Sequence, residues 1–144
     1  MRRTSSQSQS LLNEQLCMAA WCGAADWVKR LLSEGADVDC YDDTGQTPLH
    51  LAVGELRYSA TKVLIGAGAD VNRTDRAGEW TPLTRSVEAR SWLKCLGYKP
   101  STSVLRLLLK TGANQRKRIA KGHTAMQLAK RYKDREAAAV LAAT

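Results

Sequence analysis

The sequence is poor in the residues that do chemistry. Its 144 residues include two histidines, His50 and His123, and four cysteines, Cys17, Cys22, Cys40 and Cys95. No two cysteines form a CxxC pair, and no Cys/His cluster has zinc-ligand spacing, so no metal is expected. Cys17 and Cys22 stand five apart, on different faces of a helix. The four read as reduced thiols acting as small apolar side chains, since a disulfide framework needs an oxidising compartment that nothing here indicates. Nor is there a phosphate loop: "GAGAD" (66–70) follows a helical pattern rather than a strand, the wrong context for a dinucleotide fingerprint. Without a nucleophile, base or metal set, no enzyme activity and no cofactor are expected. Long apolar runs are missing too. None approaches the ~20 residues needed to cross a bilayer. The start, "MRRTSSQSQSLL", lacks the apolar core of about 7–15 residues that marks a signal peptide. The expected location is the cytoplasm, the nucleus or both.

Basic residues are scarce in one half only. Residues 1–74 hold 7 Lys/Arg and 9 Asp/Glu, a net of −2; residues 75–144 hold 15 and 5, a net of +10; together they make the chain's +8. The basic half suits an acidic protein, a phosphorylated segment, an anionic membrane or nucleic acid, or it serves solubility alone.

What is present is repetition. "EGADVDCYDDTG" (34–45), "AGADVNRTDRAG" (67–78) and "TGANQRKRIAKG" (111–122) align without gaps. Their first glycines, Gly35, Gly68 and Gly112, are 33 and then 44 residues apart, and 44 is 33 plus 11. A second series lies just downstream: "TPLHLA" (47–52), "TPLTRS" (81–86) and "TAMQLA" (124–129), with a weaker early copy in "EQLCMAA" (14–20). Thr-Pro-Leu starts a helix, because proline in the first turn loses no hydrogen bond and has its φ preset. A second short helix follows, as in "WVKRLLSEG" (27–35) and "SVLRLLLKTG" (103–112). There Val28, Leu31 and Leu32, and Leu105, Leu108 and Leu109, fall on one buried face. The glycine after it supplies a left-handed residue past the helix end, and the Asp/Gly-rich linker reads as a β-turn finger.

The 33-residue period, "TPLHLA", the Leu-Leu helix and "GADVN" resemble the ankyrin repeat family over roughly residues 14–144. The resemblance implies an all-α solenoid of about four helix–turn–helix units with β-turn fingers. The units are about 12–41, 42–74, 75–118 and 119–144, after a flexible polar tail at 1–11. Stacked units bury one another's apolar faces. Repeat one lacks the Thr-Pro start, repeat four has Ala125 for the proline and Lys130 at a usually small position, and both read as caps. In repeat two, "GELRYS" (54–59) replaces the usual turn, with Gly54 ending the first helix early and Ser59 capping the second. His50 is expected to be structural, its ring bonded to backbone and to the motif threonine.

The family presents a concave face of finger tips and first helices to a protein partner. Its variable binding positions fall in the fingers on Asp43, Thr44 and Gln46, on Arg76, Ala77 and Glu79, and on Ala120, Lys121 and His123. At first-helix ends they fall on Trp21 and Cys22, Gly54 and Glu55, Glu88 and Ala89, and Arg131 and Tyr132. His123 is expected to be exposed. The extra residue in "GEWT" (78–81) displaces Trp80, outward as a bulge. Trp21, Trp80 and Tyr132 suit contact anchors, with packing inside the stack as the alternative; Trp27 reads as structural. Arg116, Lys117, Arg118 and Lys121 form the densest basic patch, read as a solvated finger, an import signal or a nucleic-acid contact. Interleaved aromatics for base stacking are missing, so an acidic protein surface suits it better.

"SWLKCLGYKP" (91–100) lies outside the repeat. Thr47 to Gly68 is 21 residues, but Thr81 to Gly112 is 31, so ten residues enter between the two helices of repeat three. Nothing breaks the first helix before Gly97, which suits its left-handed end; Pro100 follows, and Ser101 or Thr102 can cap the next helix. The helix is expected from about Pro82 to Leu96, overshooting its neighbours by ~15 Å at 1.5 Å per residue. Ala89, Trp92, Leu93 and Leu96 line one apolar face. That face either folds back over the stack or, with Tyr98, forms a docking ledge. The expected function is a non-enzymatic adaptor or inhibitor, monomeric and bound to a protein partner. The alternative is a nuclear protein whose basic half contacts nucleic acid or chromatin.

Overall fold

The computed structural model describes residues 5–144. The helices among the described residues are α1 (Ser5–Cys22), α2 (Ala25–Ser33), α3 (Pro48–Gly54), α4 (Tyr58–Gly66), α5 (Pro82–Cys95), α6 (Ser103–Lys110), α7 (Ala125–Arg131) and α8 (Arg135–Ala142). They form two layers. In the inner layer α1 packs on α3, α3 on α5 and α5 on α7; in the outer layer α2, α4, α6 and α8 follow in the same order.

Each later inner helix starts on a reciprocal cap. Thr47, Thr81 and Thr124 accept a hydrogen bond from the backbone N–H of the residue three on. That residue's side chain accepts in return from the threonine N–H, and it is His50, Thr84 and Gln127 in turn. The three differ in chemistry but share an acceptor at the right reach, so the departure of repeats three and four from "TPLH" leaves the cap intact. His50 also donates from Nε2 to the Trp80 carbonyl at 2.7 Å, bonding repeat two to repeat three. Burial, partly offset by that bond, holds the imidazole below its ordinary pKa.

The outer helices end alike. Gly35, Gly68 and Gly112 have φ of 102°, 95° and 101°. A side chain there would meet nothing within 4 Å, so the backbone angle, not space, demands glycine. The turn from inner to outer helix also needs a positive φ, held by Gly23, Leu56 and Lys133 at 75°, 51° and 56°. Ser59 lies inside α4 rather than capping it; Arg57 takes the cap position, and α3 keeps the seven-residue length of α7, so Gly54 does not shorten it.

Two expectations need revision at the ends of inner helices. α1 begins at Ser5, so 5–11 of the expected tail are helical, while 1–4 lie outside the described residues. Leu12 packs against the core, Gln9 donates to the Gly35 carbonyl, and Asn13 accepts from the Asp37 N–H, which together hold this polar segment on the stack. α5 has 14 residues against seven in α3 and α7. It ends at Cys95, with Gly97 at φ 87° and Tyr98 N–H bonded back to Leu93. The overshoot is seven residues, about 10 Å, shorter than ten inserted residues suggest because the rest form the return to α6. Small inner-layer residues, Ala19, Ala20, Ala52, Ser86 and Ala129, are buried and let the helices approach closely.

Candidate functional site

Hydrogen bonds close each finger and link it to the next. Asp42 N–H bonds to the Gln46 carbonyl, Asp75 to Trp80 and Ile119 to His123, closing three equivalent turns. Asp42 and Asp75 also accept backbone N–H groups from inside their own turns. Neighbouring fingers are tied by Arg76 N–H to the Gly45 carbonyl and Ala120 N–H to the Gly78 carbonyl, both at 2.9 Å. The guanidinium groups of Arg76 and Arg73 sit 4.0 and 4.8 Å from the centre of the Tyr41 ring.

Two grooves open beside this frame. The larger, about 830 Å³, lies between α1 and the first finger and is lined by Ser10, Asn13, Glu14, Cys17, Met18, Trp21, Tyr41, Asp42, Asp43 and Leu51. Of the lining residues Cys17 has its sulfur 3.8 Å from that of Cys40, and both cysteines are buried. The contact with Cys40, then burial, pushes the Cys17 thiol up. The smaller groove, about 390 Å³, lies between α3 and α5, lined by Gly54, Glu55, Arg85, Glu88, Ala89, Trp92 and Leu93.

The expected contact residues divide between these places. Trp21 and Asp43 meet at the larger groove. Thr44 and Gln46 are tied to each other and to the turn, and Gln46 also accepts from Arg85. Glu88 lines the smaller groove and pairs with Arg85 at 2.6 Å. Trp80 does not bulge outward. Glu79, exposed, absorbs the extra residue at φ 56°, and Trp80 stays half-buried against the core. Tyr132 likewise packs half-buried against the core, while Arg131 and Lys121 are exposed and His123 is half-buried rather than exposed. In the basic patch Arg116, Lys117 and Arg118 are exposed. Lys117 donates to the Asn72 carbonyl and Arg118 to the Gly122 carbonyl and Gln127.

The insertion does not fold back. Trp92 is 68% exposed, Leu96 57% and Tyr98 63%, with Leu93 half-buried beside them. What holds this ledge is a residue that sequence reasoning missed. Arg90 is fully buried; it donates to both carboxylate oxygens of Asp134, at 2.9 and 3.1 Å, and to the Pro100 and Ser101 carbonyls, each at 2.7 Å. Glu136 and Lys94 join the cluster at its edge. Burial alone would raise the Asp134 carboxyl, but bonds from Arg90, the Ala137 N–H and Lys94 hold it below the ordinary carboxylate range. The only sequence signal is an Asp at a helix start, where Asp134 does cap α8.

Among the described residues no helix is long and apolar enough to cross a membrane, and no group of three His, Cys, Asp or Glu is placed to hold a metal ion.

Two layers of short helix pairs joined by bonded fingers define a repeat solenoid, and comparison with known proteins agrees: the family model for ankyrin repeats, in three copies, matches residues 16–98. The chain belongs to the ankyrin repeat family, whose repeats are in general protein–protein interaction modules. It is 44% identical over 68 residues to the potassium channel KOR1 of Oryza sativa subsp. japonica, covering 47% of this chain and 8% of the channel. It is 44% identical over 71 residues to human neurogenic locus notch homolog protein 4, 49% of this chain and 4% of that protein. With FPV219 of fowlpox virus (strain NVSL) it shares 31% over 104 residues, 72% of this chain and 22% of that protein. The chain thus spans less than a quarter of the length of each of these relatives.

Proposed function

We propose that this ankyrin stack is a non-enzymatic docking module, an adaptor or inhibitor, that holds a protein partner on its inner layer and on the α5 ledge. The observation that carries the reading is the exposure of Trp92, Leu96 and Tyr98 on a segment whose base is pinned by buried Arg90. A surface built only for solubility does not expose an aromatic and a leucine on a fixed helix end. Pre-ordering removes the entropy cost that a floppy loop would bring to binding. The ledge lies in the basic half, which favours an acidic partner surface.

The test is affinity capture with mass spectrometry, comparing the wild type with a Trp92→Ser, Tyr98→Ser double variant. Both side chains are mostly exposed, so melting should be unchanged while a defined subset of captured proteins is lost. An identical capture profile for the two proteins would remove the ledge from the binding surface.

A further inference from the structure

The groove between α1 and the first finger has a chemistry opposite to that of the basic half. We propose that it takes a basic segment of a partner protein, one that places a bulky apolar side chain between Lys or Arg residues. This rests on the reading of the stack as a docking module and specifies what one of its surfaces accepts.

The floor is apolar and uncovered. Met18 is 59% exposed and Trp21 53%, and Leu51 of α3 and Tyr41 of the finger flank them. Positions 10, 14, 18 and 21 follow helical spacing, so one face of α1 forms a continuous wall. This wall exists because the helix begins at Ser5 instead of giving way to a tail. The rim is acidic. Glu14 stands on α1, Asp42 and Asp43 on the finger, and none of the ten lining residues is a cation. Arg73 and Arg76 come near, but both are engaged on the Tyr41 ring. At about 830 Å³ the groove has room for several side chains of an extended or helical segment.

The two features select together. Three carboxylates repel an acidic peptide or a nucleic acid and attract cations. The Trp21 and Met18 surface gives nothing to a purely hydrophilic cation and rewards an apolar side chain. Only a segment carrying both gains from both.

Random peptides of about twelve residues are displayed on phage and selected against the whole chain. Enriched peptides are then titrated into isotopically labelled protein while backbone amide signals are followed. The expected winners carry Lys or Arg on both sides of Leu, Met or an aromatic, and shift amides of 10–21 and 41–43. Glu14→Lys combined with Asp43→Lys should weaken their binding roughly tenfold or more and remove its salt dependence. Trp21→Ser should weaken it to a similar extent. Asp42 is left unchanged because its carboxylate holds the finger turn. Should Trp21→Ser disturb folding, the exposed charge pair decides alone. Winners that are acidic or uncharged overturn the proposal. Winners that map to the α5 ledge or the basic fingers overturn it while leaving the docking function standing. No enrichment at any surface overturns it and also counts against docking.

Discussion

Arg90 shows how much one residue can carry unseen. In sequence it is one of 22 basic residues, and most such side chains are solvated. In the fold it is fully buried, and its five hydrogen bonds reach the carbonyls of Pro100 and Ser101 and two acids of the last repeat. Arg90→Ala leaves the buried Asp134 carboxylate with the half-exposed Lys94 as its cation and the Ala137 N–H as its other bond, and should cost about 3–5 kcal/mol, measured by denaturant unfolding. Because the folded Asp134 carboxyl is held below its ordinary pKa, its contribution is complete above the ordinary value and is lost as pH falls from there through the lower folded value. Wild-type melting should therefore drop below about pH 4, and Asp134→Asn, already destabilised, should drop less. None of this was legible, since the partners lie 10, 11 and 44 residues away and no local pattern links them. The caps were legible, because Thr-x-x with an acceptor is a local device. Lys133 is a smaller case. It is exposed at φ 56° where repeat one has Gly23, so Lys133→Gly should leave the fold unchanged and raise stability by up to about 1 kcal/mol.

At the scale of elements, the outer helices were the most readable part. Leu64 and Leu108 sit at equivalent places in α4 and α6, and both have no exposed surface. Leu64→Ala and Leu108→Ala should each cost about 2–5 kcal/mol, seen as a lowered melting temperature. The long α5 was readable in outline, from the absence of a breaker before Gly97. Its exposure was not, because an apolar helical face looks the same whether it is covered or bare. α1 was misread at its start for the converse reason. "SSQSQS" has no apolar spacing of its own, and its helix is held by Leu12 packing and by Gln9 and Asn13 reaching to the first finger.

Across the whole molecule the charge gradient becomes spatial, because a solenoid lays its sequence out in order. Among the described residues, 5–74 hold 5 Lys/Arg and 9 Asp/Glu, a net of −4, and 75–144 hold 15 and 5, a net of +10; the two sit at opposite ends of the stack. A partner lying along the inner layer would meet opposite fields at its two ends, which sets its direction. The buried arginine gives the molecule a direction in time as well. The counter-charge for Arg90 is encoded 44 residues after it, and a ribosome adds ~5–20 residues per second. For some seconds of synthesis the guanidinium has the Pro100 and Ser101 carbonyls to bond but no carboxylate to pair with. The first two repeats hold no buried carboxylate or guanidinium that waits on so distant a partner, and can settle while the rest is still being made. A chain truncated after Lys133 should show this arrested stage. Limited proteolysis should spare residues up to about 74, cut between α5 and α6, and lose those cuts when the full chain is restored. The last repeat is thus the clasp that lets the third one finish.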